Sequence, residues 1–281
     1  MNHQIEHSRN IQKKYGASYY FSTLFFPKKI REATFSLYAF VREADEIVDS
    51  HENLTSDQKY SLLENYQQSF FSTEKSDNTS IELFKLTKSK FLIPSDYISS
   101  FIDAMKQDCK KTRYTTYDEL RDYMYGSATV VGYMMCHIIG YKEPALIYAR
   151  KLAEAMQMTN FLRDIREDYE KRDRIYIPNE DLVMHGLTED DIKNMRISDN
   201  FKKMMAYEIS RARKLYKEAE EGIVLLNKDG RFPVRLSSRL YEAILDEIEK
   251  SNYDIFAKRQ RVSKIKKIII LLRTLIWTKR K

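Results

Sequence analysis

Glycine and proline are scarce, at 7 and 5 in 281 residues, against the roughly 7% and 5% of ordinary usage. Neither G-x-G-x-x-G nor G-x-x-x-x-G-K-[ST] occurs. Those loops bring backbone amides to phosphates, so their absence excludes a dinucleotide fingerprint and a P-loop. Too few turn residues remain for an all-β sandwich. There are two cysteines, Cys109 and Cys136, neither in metal-ligand spacing, so no disulfide framework or thiolate metal site is expected. The first ten residues, MNHQIEHSRN, hold no apolar leader. With so few cysteines, a reducing, cytoplasmic compartment is expected. The longest apolar run, Ile268 to Leu272, is far short of the roughly 20 residues that span a bilayer. A soluble or peripheral protein follows.

What is present is charge and helical periodicity. The net charge is +7, but the stretch from Lys258 to Lys281 holds ten Lys and Arg and no acid. The preceding 257 residues are therefore net −3, and the basic character belongs to the tail. Such a tail suits an anionic surface. Its interspersed Ile and Leu fit lipid better than nucleic acid, so no nucleic-acid partner is expected. The tail, 264–281, reads as an amphipathic helix appended to a catalytic region, 1–263, and is expected to hold the protein at a membrane surface.

Apolar residues recur at helical spacing throughout. A helix is expected from Pro27 through Asp49, with the stripe Leu37, Phe40, Val41, Ala44, Ile47 and Val48. Pro94 opens another, Thr116 caps a third, and Pro144 starts a long one to about Tyr169. A loop or short helix follows from Arg172 to Gly186. Long helices are expected over Asn200–Asn227 and Pro233–Lys250. Polar loops are expected near Ser50–Thr55 and Ser72–Ser80. No repeat or flexible linker interrupts the pattern, so the expectation is a single all-α domain.

Two helices carry aspartates four apart, Asp45 and Asp49 in READEIVDS and Asp164 and Asp168 in NFLRDIRED. Acids at this spacing are ordinarily a solvated face. Here they lie in the most apolar helices, where like charges at i, i+4 are mildly unfavourable without a cation. Stepping back by helical turns adds Arg42 and Tyr38 to one stripe, and Asn160 and Gln157 to the other. Two such stripes facing each other would wall a cavity with oxygen ligands. That set suits Mg²⁺, which binds through a few carboxylates together with substrate phosphates. Arg42 and Arg163 would pair with a diphosphate.

YAFVREADEIVD and QMTNFLRDIRED resemble the two aspartate-rich motifs of the squalene/phytoene synthase family. YGASYYFSTLFFP, YMYGSATVVGYMM, RDRIYIP and RLYEAILDEIEKSNYDIFAKRQRVSKIKK extend the resemblance over nearly the whole chain, in order. It implies an isoprenoid synthase-type helical bundle around a central cavity. It also implies a Mg²⁺-dependent head-to-head joining of two prenyl diphosphates through a cyclopropylcarbinyl diphosphate. By position, Asp45, Asp49, Asn160, Asp164 and Asp168 would bind the metal. Tyr38, Arg42, Gln157 and Arg163 would contact diphosphate or substrate, with Ser18 and Tyr241. Tyr125 and Asp108, together with Arg42 and Arg163, would serve the reaction centre.

The resemblance is greatest to bacterial and archaeal phytoene synthases, which implies geranylgeranyl diphosphate as substrate and no NADPH. Squalene or dehydrosqualene synthesis from farnesyl diphosphate is the alternative, and a non-catalytic membrane-associated scaffold the second. The chain departs from the family at Tyr15–Tyr19, where a serine and a lysine are usual, and at Arg166, where glycine is common. His137 lies in an apolar run and reads as a packed core histidine.

Overall fold

The computed structural model describes residues 2–49 and 54–279. Arg280 and Lys281 of the expected tail, and residues 50–53 of an expected loop, lie outside the described residues. The helices are α1 (Asn2–Tyr15), α2 (Ala17–Thr23), α3 (Lys28–Asp49), α4 (Ser56–Phe71), α5 (Thr79–Phe91), α6 (Ser95–Asp108) and α7 (Tyr117–Met124). A π-helical turn, Tyr125–Thr129, leads into α8 (Val130–Ile139) and α9 (Ala145–Arg172). After these come α10 (Asn179–Met184), α11 (Glu189–Lys193), α12 (Asp199–Glu220), a 3₁₀ turn (Glu221–Leu225), α13 (Lys228–Lys250) and α14 (Lys264–Lys279). The described residues form no strand, only two isolated bridges. The single all-α bundle expected from periodicity is what forms.

Local chemistry sets the ends. Thr116 accepts a hydrogen bond from the Glu119 amide at 3.2 Å, the expected cap of α7. Thr55 and Gln58 form a capping box on α4. Two boundaries differ from expectation: α12 ends at Glu220 in a 3₁₀ turn, short of Asn227, and α13 begins at Lys228, five residues before Pro233. Pro233 withholds only its own amide hydrogen bond, and the turn ahead of it is held by Gly230, which sits against Ile139 where a Cβ would meet its side chain at 2.2 Å.

The core fixes the two aspartate helices. Phe40 of α3 is fully buried, with the rings of Tyr66, Phe70 and Phe84 centred 5.1, 5.0 and 4.6 Å away. Truncating such a residue costs about 3–5 kcal/mol, so α3 is anchored firmly by α4 and α5. Helix α9, 28 residues long, runs through the bundle against α8, α12 and α13. Thr159 and Tyr216 share a buried hydrogen bond of 2.9 Å between α9 and α12.

Candidate active site

One face of α9 lines two cavities in succession. Ala145, Tyr148, Ala149, Leu152, Ala153, Met156, Gln157 and Asn160 border an apolar tunnel of about 270 Å³. The same face continues as Asn160, Arg163, Asp164, Glu167, Asp168 and Arg172, bordering a polar cavity of about 740 Å³. Helix α3 makes the same transition, from Thr34, Leu37, Tyr38 and Val41 to Arg42, Asp45 and Asp49. Spacings of three and four keep each set on one side of its helix. Tyr38, Val41, Ser127, Gln157, Asn160 and Tyr241 border both spaces. They form the junction.

The aspartates of both helices line the polar cavity, and arginines bridge them. Arg172 sets Nε 2.7 Å from Asp49 Oδ1 and donates from Nη1 to Asp168 Oδ1 at 3.1 Å. Arg174 donates to Asp49 Oδ1 at 3.1 Å and to the Asp108 carbonyl at 3.0 Å. Asp164 is held by Arg163 Nε at 2.8 Å and by both arms of Arg259, at 2.7 and 2.8 Å. Arg42 pairs with Asp45 and Glu46.

Electrostatics follow from these contacts. Burial pushes the Asp164 carboxyl up, but Arg163 and then Arg259 outweigh it and bring it down to about 2. Desolvation, then the neighbouring Asp49, pushes Asp45 above its ordinary value. Burial and Asp164 do the same to Asp168. Asp108 is driven up to about 6 by burial, against the pull of Arg174 and a 2.6 Å hydrogen bond from the Tyr123 hydroxyl. Charged carboxylates are thus costly here unless cations accompany them.

Among the described residues no three Asp, Glu, His or Cys side chains converge closely enough to cage a metal. The oxygen donors are instead spread over two facing walls. That distribution fits a Mg²⁺ ion completed by phosphate oxygens and water, not an all-protein cage.

The squalene/phytoene synthase family model matches residues 12–266, most of the chain. A phytoene synthase from Arthrospira platensis is 34% identical over 280 residues, covering 94% of this chain and 89% of the relative. The chain belongs to the squalene/phytoene synthase family. A 15-cis-phytoene synthase from Synechocystis is 33% identical, over 94% of this chain and 82% of the relative. Among solved structures, a dehydrosqualene synthase in complex with ligand superposes with a TM-score of 0.91 at 24% identity, covering 100% and 98% of the two chains. A squalene synthase from Alicyclobacillus acidocaldarius gives 0.79 at 27%, covering 89% and 94%.

With the family's motifs located, the expected residues can be placed. Asp45, Asp49, Asp108, Asn160, Asp164, Asp168, Ser18, Tyr38, Arg42, Gln157, Arg163 and Tyr241 all line the polar cavity. Tyr125 does not. It borders neither cavity, is 38% exposed and packs on Tyr133. Tyr123, two residues earlier, is buried, lines the polar cavity and bonds Asp108. Two residues on a helix are about 200° apart, so only one of these tyrosines can face inward. Tyr123, not the expected Tyr125, is therefore the tyrosine that lines the polar cavity. Arg166 points away from the cavity, to Glu170 at 2.9 Å and the Phe256 carbonyl at 2.5 Å. His137 packs against Tyr97 and Tyr141.

Seven charged residues of the cavity were not singled out by sequence as site residues: Lys14, Glu167, Arg172, Arg174, Arg259, Arg261 and Lys267. Arg172 and Arg174 flank Asp173, whose left-handed φ of 51° ends α9 and turns Arg174 back over the site. The Ile175 amide bonds to Thr112 O at 2.9 Å and fixes that return.

Proposed function

We propose that this enzyme joins two geranylgeranyl diphosphates head to head, through prephytoene diphosphate, to give phytoene without a reductant. The observation that carries this reading is the tunnel that opens into the arginine–aspartate cavity along one face of α9. From Asn160 to Ala145 the helix rises about 22 Å at 1.5 Å per residue. Carbon–carbon bonds of about 1.5 Å advance roughly 1.25 Å each, so a prenyl unit spans about 5 Å. A C20 chain is then about 20 Å long and a C15 chain about 15 Å. The tunnel accommodates the longer one.

The chain's own groups do the positioning. Arg42, Arg163, Arg172, Arg174 and Arg259 offer guanidinium forks to diphosphate oxygens. Asp45, Asp49, Asn160, Asp164 and Asp168 would hold Mg²⁺, which would supply charge neutralisation for the departing diphosphate. Tyr38 and Tyr241 border the junction, where their ring quadrupoles would favour positive charge developing on the reacting carbons. The Tyr123 and Tyr176 hydroxyls, 2.6 and 3.4 Å from Asp108, fix that carboxyl in the cavity.

A C40 hydrocarbon is soluble only in a bilayer, which supports work at a membrane surface. No helix among the described residues is long and apolar enough to cross one. The test supplies labelled C15 or C20 diphosphate with Mg²⁺, with and without NADPH, and identifies the products. A C40 product without NADPH is expected. Faster turnover of the C15 substrate to a C30 product refutes the chain-length assignment, and a need for NADPH refutes the non-reductive one.

A further inference from the structure

Helix α14 is docked on α13 by a mixed side, on which Ile270 packs against the core beside polar anchors. Lys266 Nζ lies 3.0 Å from Asp246 Oδ2 and 2.7 Å from Glu247 Oε1. Arg239 donates to the fully buried Thr274 hydroxyl at 3.2 Å. The Trp277 ring lies under Arg235 and Arg239, with guanidinium carbons 4.3 and 5.1 Å from its centroid. The helix therefore runs antiparallel to α13, from Asp246 back to Arg235.

Its apolar side faces away. Ile265, Ile268, Ile269, Leu272, Leu275 and Ile276 are between 37% and 73% exposed. Their steps of three and four make one continuous aliphatic face. An amphipathic helix on a globular body ordinarily turns that face inward, and here the arrangement is reversed. The patch has a neighbour at its far end. Phe232, one turn before Arg235 on α13, packs edge-on against Phe25 at 5.5 Å. Phe25 and Leu24, in the α2–α3 corner, are about 40% exposed. Behind this surface, Ser22 and Phe26 with Pro233, Val234 and Ser237 wall the prenyl tunnel.

We infer that the outward face of α14, continued by Leu24 and Phe25, docks on an anionic bilayer and sets the α2–α13 wall of the tunnel against the lipid. This deepens the membrane reading given above and rests on it. Two observations favour lipid over a second copy of the chain. Lys264 and Arg273 are exposed on the same helix, with Lys258 and Arg261 just ahead of it. These suit lipid phosphates, whereas self-pairing would press like-charged helices together. The tunnel behind the patch also takes a substrate and yields a product that partition into lipid.

The experiment uses the full chain and vesicles of phosphatidylcholine, alone or with one-quarter phosphatidylglycerol, at low and high salt. Wild type is expected to sediment with the anionic vesicles and to release as salt rises. Ile268→Glu/Leu272→Glu/Ile276→Glu, and the milder single Leu272→Glu, are expected to weaken binding roughly a hundredfold and tenfold. Both should keep the helical circular dichroism and detergent-assayed turnover of wild type. Lys264→Glu/Arg273→Glu is expected to lose the preference for phosphatidylglycerol. Wild-type failure to bind, or binding by the triple variant as tight as wild type, overturns the assignment. So does a wild-type dimer that the triple variant splits, since a second copy would then cover the face. Vesicle binding is read without turnover, so failure to make a C40 product leaves this test intact.

Discussion

Filling the tunnel at successive turns of α9 should shorten the prenyl chain the enzyme accepts. Ala149 and Ala153 both border the tunnel, so a phenylalanine at either projects into it. From Asn160, Ala153 lies about 10 Å and Ala149 about 16 Å along the helix. A plug at 149 leaves room for a C15 chain of about 15 Å but not for the last unit of a C20 chain of about 20 Å. Displacing those five carbons forfeits up to about 4 kcal/mol of burial, at about 0.8 kcal/mol per methylene. Partial accommodation elsewhere lowers the expected loss to about 3 kcal/mol, or a hundredfold in kcat/KM for the C20 substrate. Ala149→Phe should therefore lose C20 turnover about a hundredfold while retaining C15 turnover, and its product should shift to C30. Ala153→Phe should lose both. The assay is competition between labelled C15 and C20 diphosphates, with products separated by chromatography. Equal losses for both substrates in Ala149→Phe, in a protein of unchanged melting temperature, would refute α9 as the ruler.

Asp45→Ala or Asp164→Ala should reduce turnover by at least a thousandfold with helical circular dichroism intact, and the double variant should be no worse than either single because the carboxylates act as a unit. Tyr123→Phe should lower kcat about tenfold or more, whereas Tyr125→Phe should stay within twofold; the reverse order in a steady-state assay restores Tyr125 to the centre. Arg174→Met strips the nearly buried guanidinium from Asp49 and the Asp108 carbonyl. Calorimetry should show about 2–4 kcal/mol lost, since a buried pair is broken from one side. Outside the site, burial and then Asp181 push the Glu208 carboxyl up to about 8. Its folded value lies above the unfolded one, so stability falls as pH rises from about 4 to 8 and levels above that. In Glu208→Gln, melting curves across this range should show a smaller fall.

The parts of the site legible in the sequence are those that local geometry fixes. Asp45 and Asp49, or Asp164 and Asp168, share a face because four residues nearly complete a helical turn. No folding knowledge is needed to see it. Tyr123 and Tyr125 in YMYGS sit where α7 gives way to a π-helical turn, and composition does not tell which of the two faces inward. Arg174 enters the site only because Asp173 adopts a left-handed φ that the sequence does not announce. Arg259 reaches Asp164 across 95 residues, a pairing that periodicity cannot contain. The outward turn of α14 agrees with the expectation of a surface-facing tail, but the pattern alone left the opposite orientation open. An amphipathic pattern states that a helix has two sides, and only the contacts of Lys266, Thr274 and Trp277 settle which side meets the body.

The arginines also explain how so many carboxylates coexist beside an apolar tunnel before any ligand arrives. Six acids line the polar cavity, Asp45, Asp49, Asp108, Asp164, Glu167 and Asp168, against eight Lys and Arg. Each buried carboxylate would be costly alone, and Asp49 and Asp164 each hold two guanidinium partners. A diphosphate competes for those same forks. On the proposed reading, Arg163 and Arg259 would turn to phosphate oxygens, and Asp164 would lose the partners that hold its carboxyl down. On the proposed reading, anion and metal therefore enter together. Each would supply the charge the other's ligands have given up. That coupling favours a metal shared with the substrate over a resident one. It also matches the two-walled spread of aspartates, which converge on no single point in the protein.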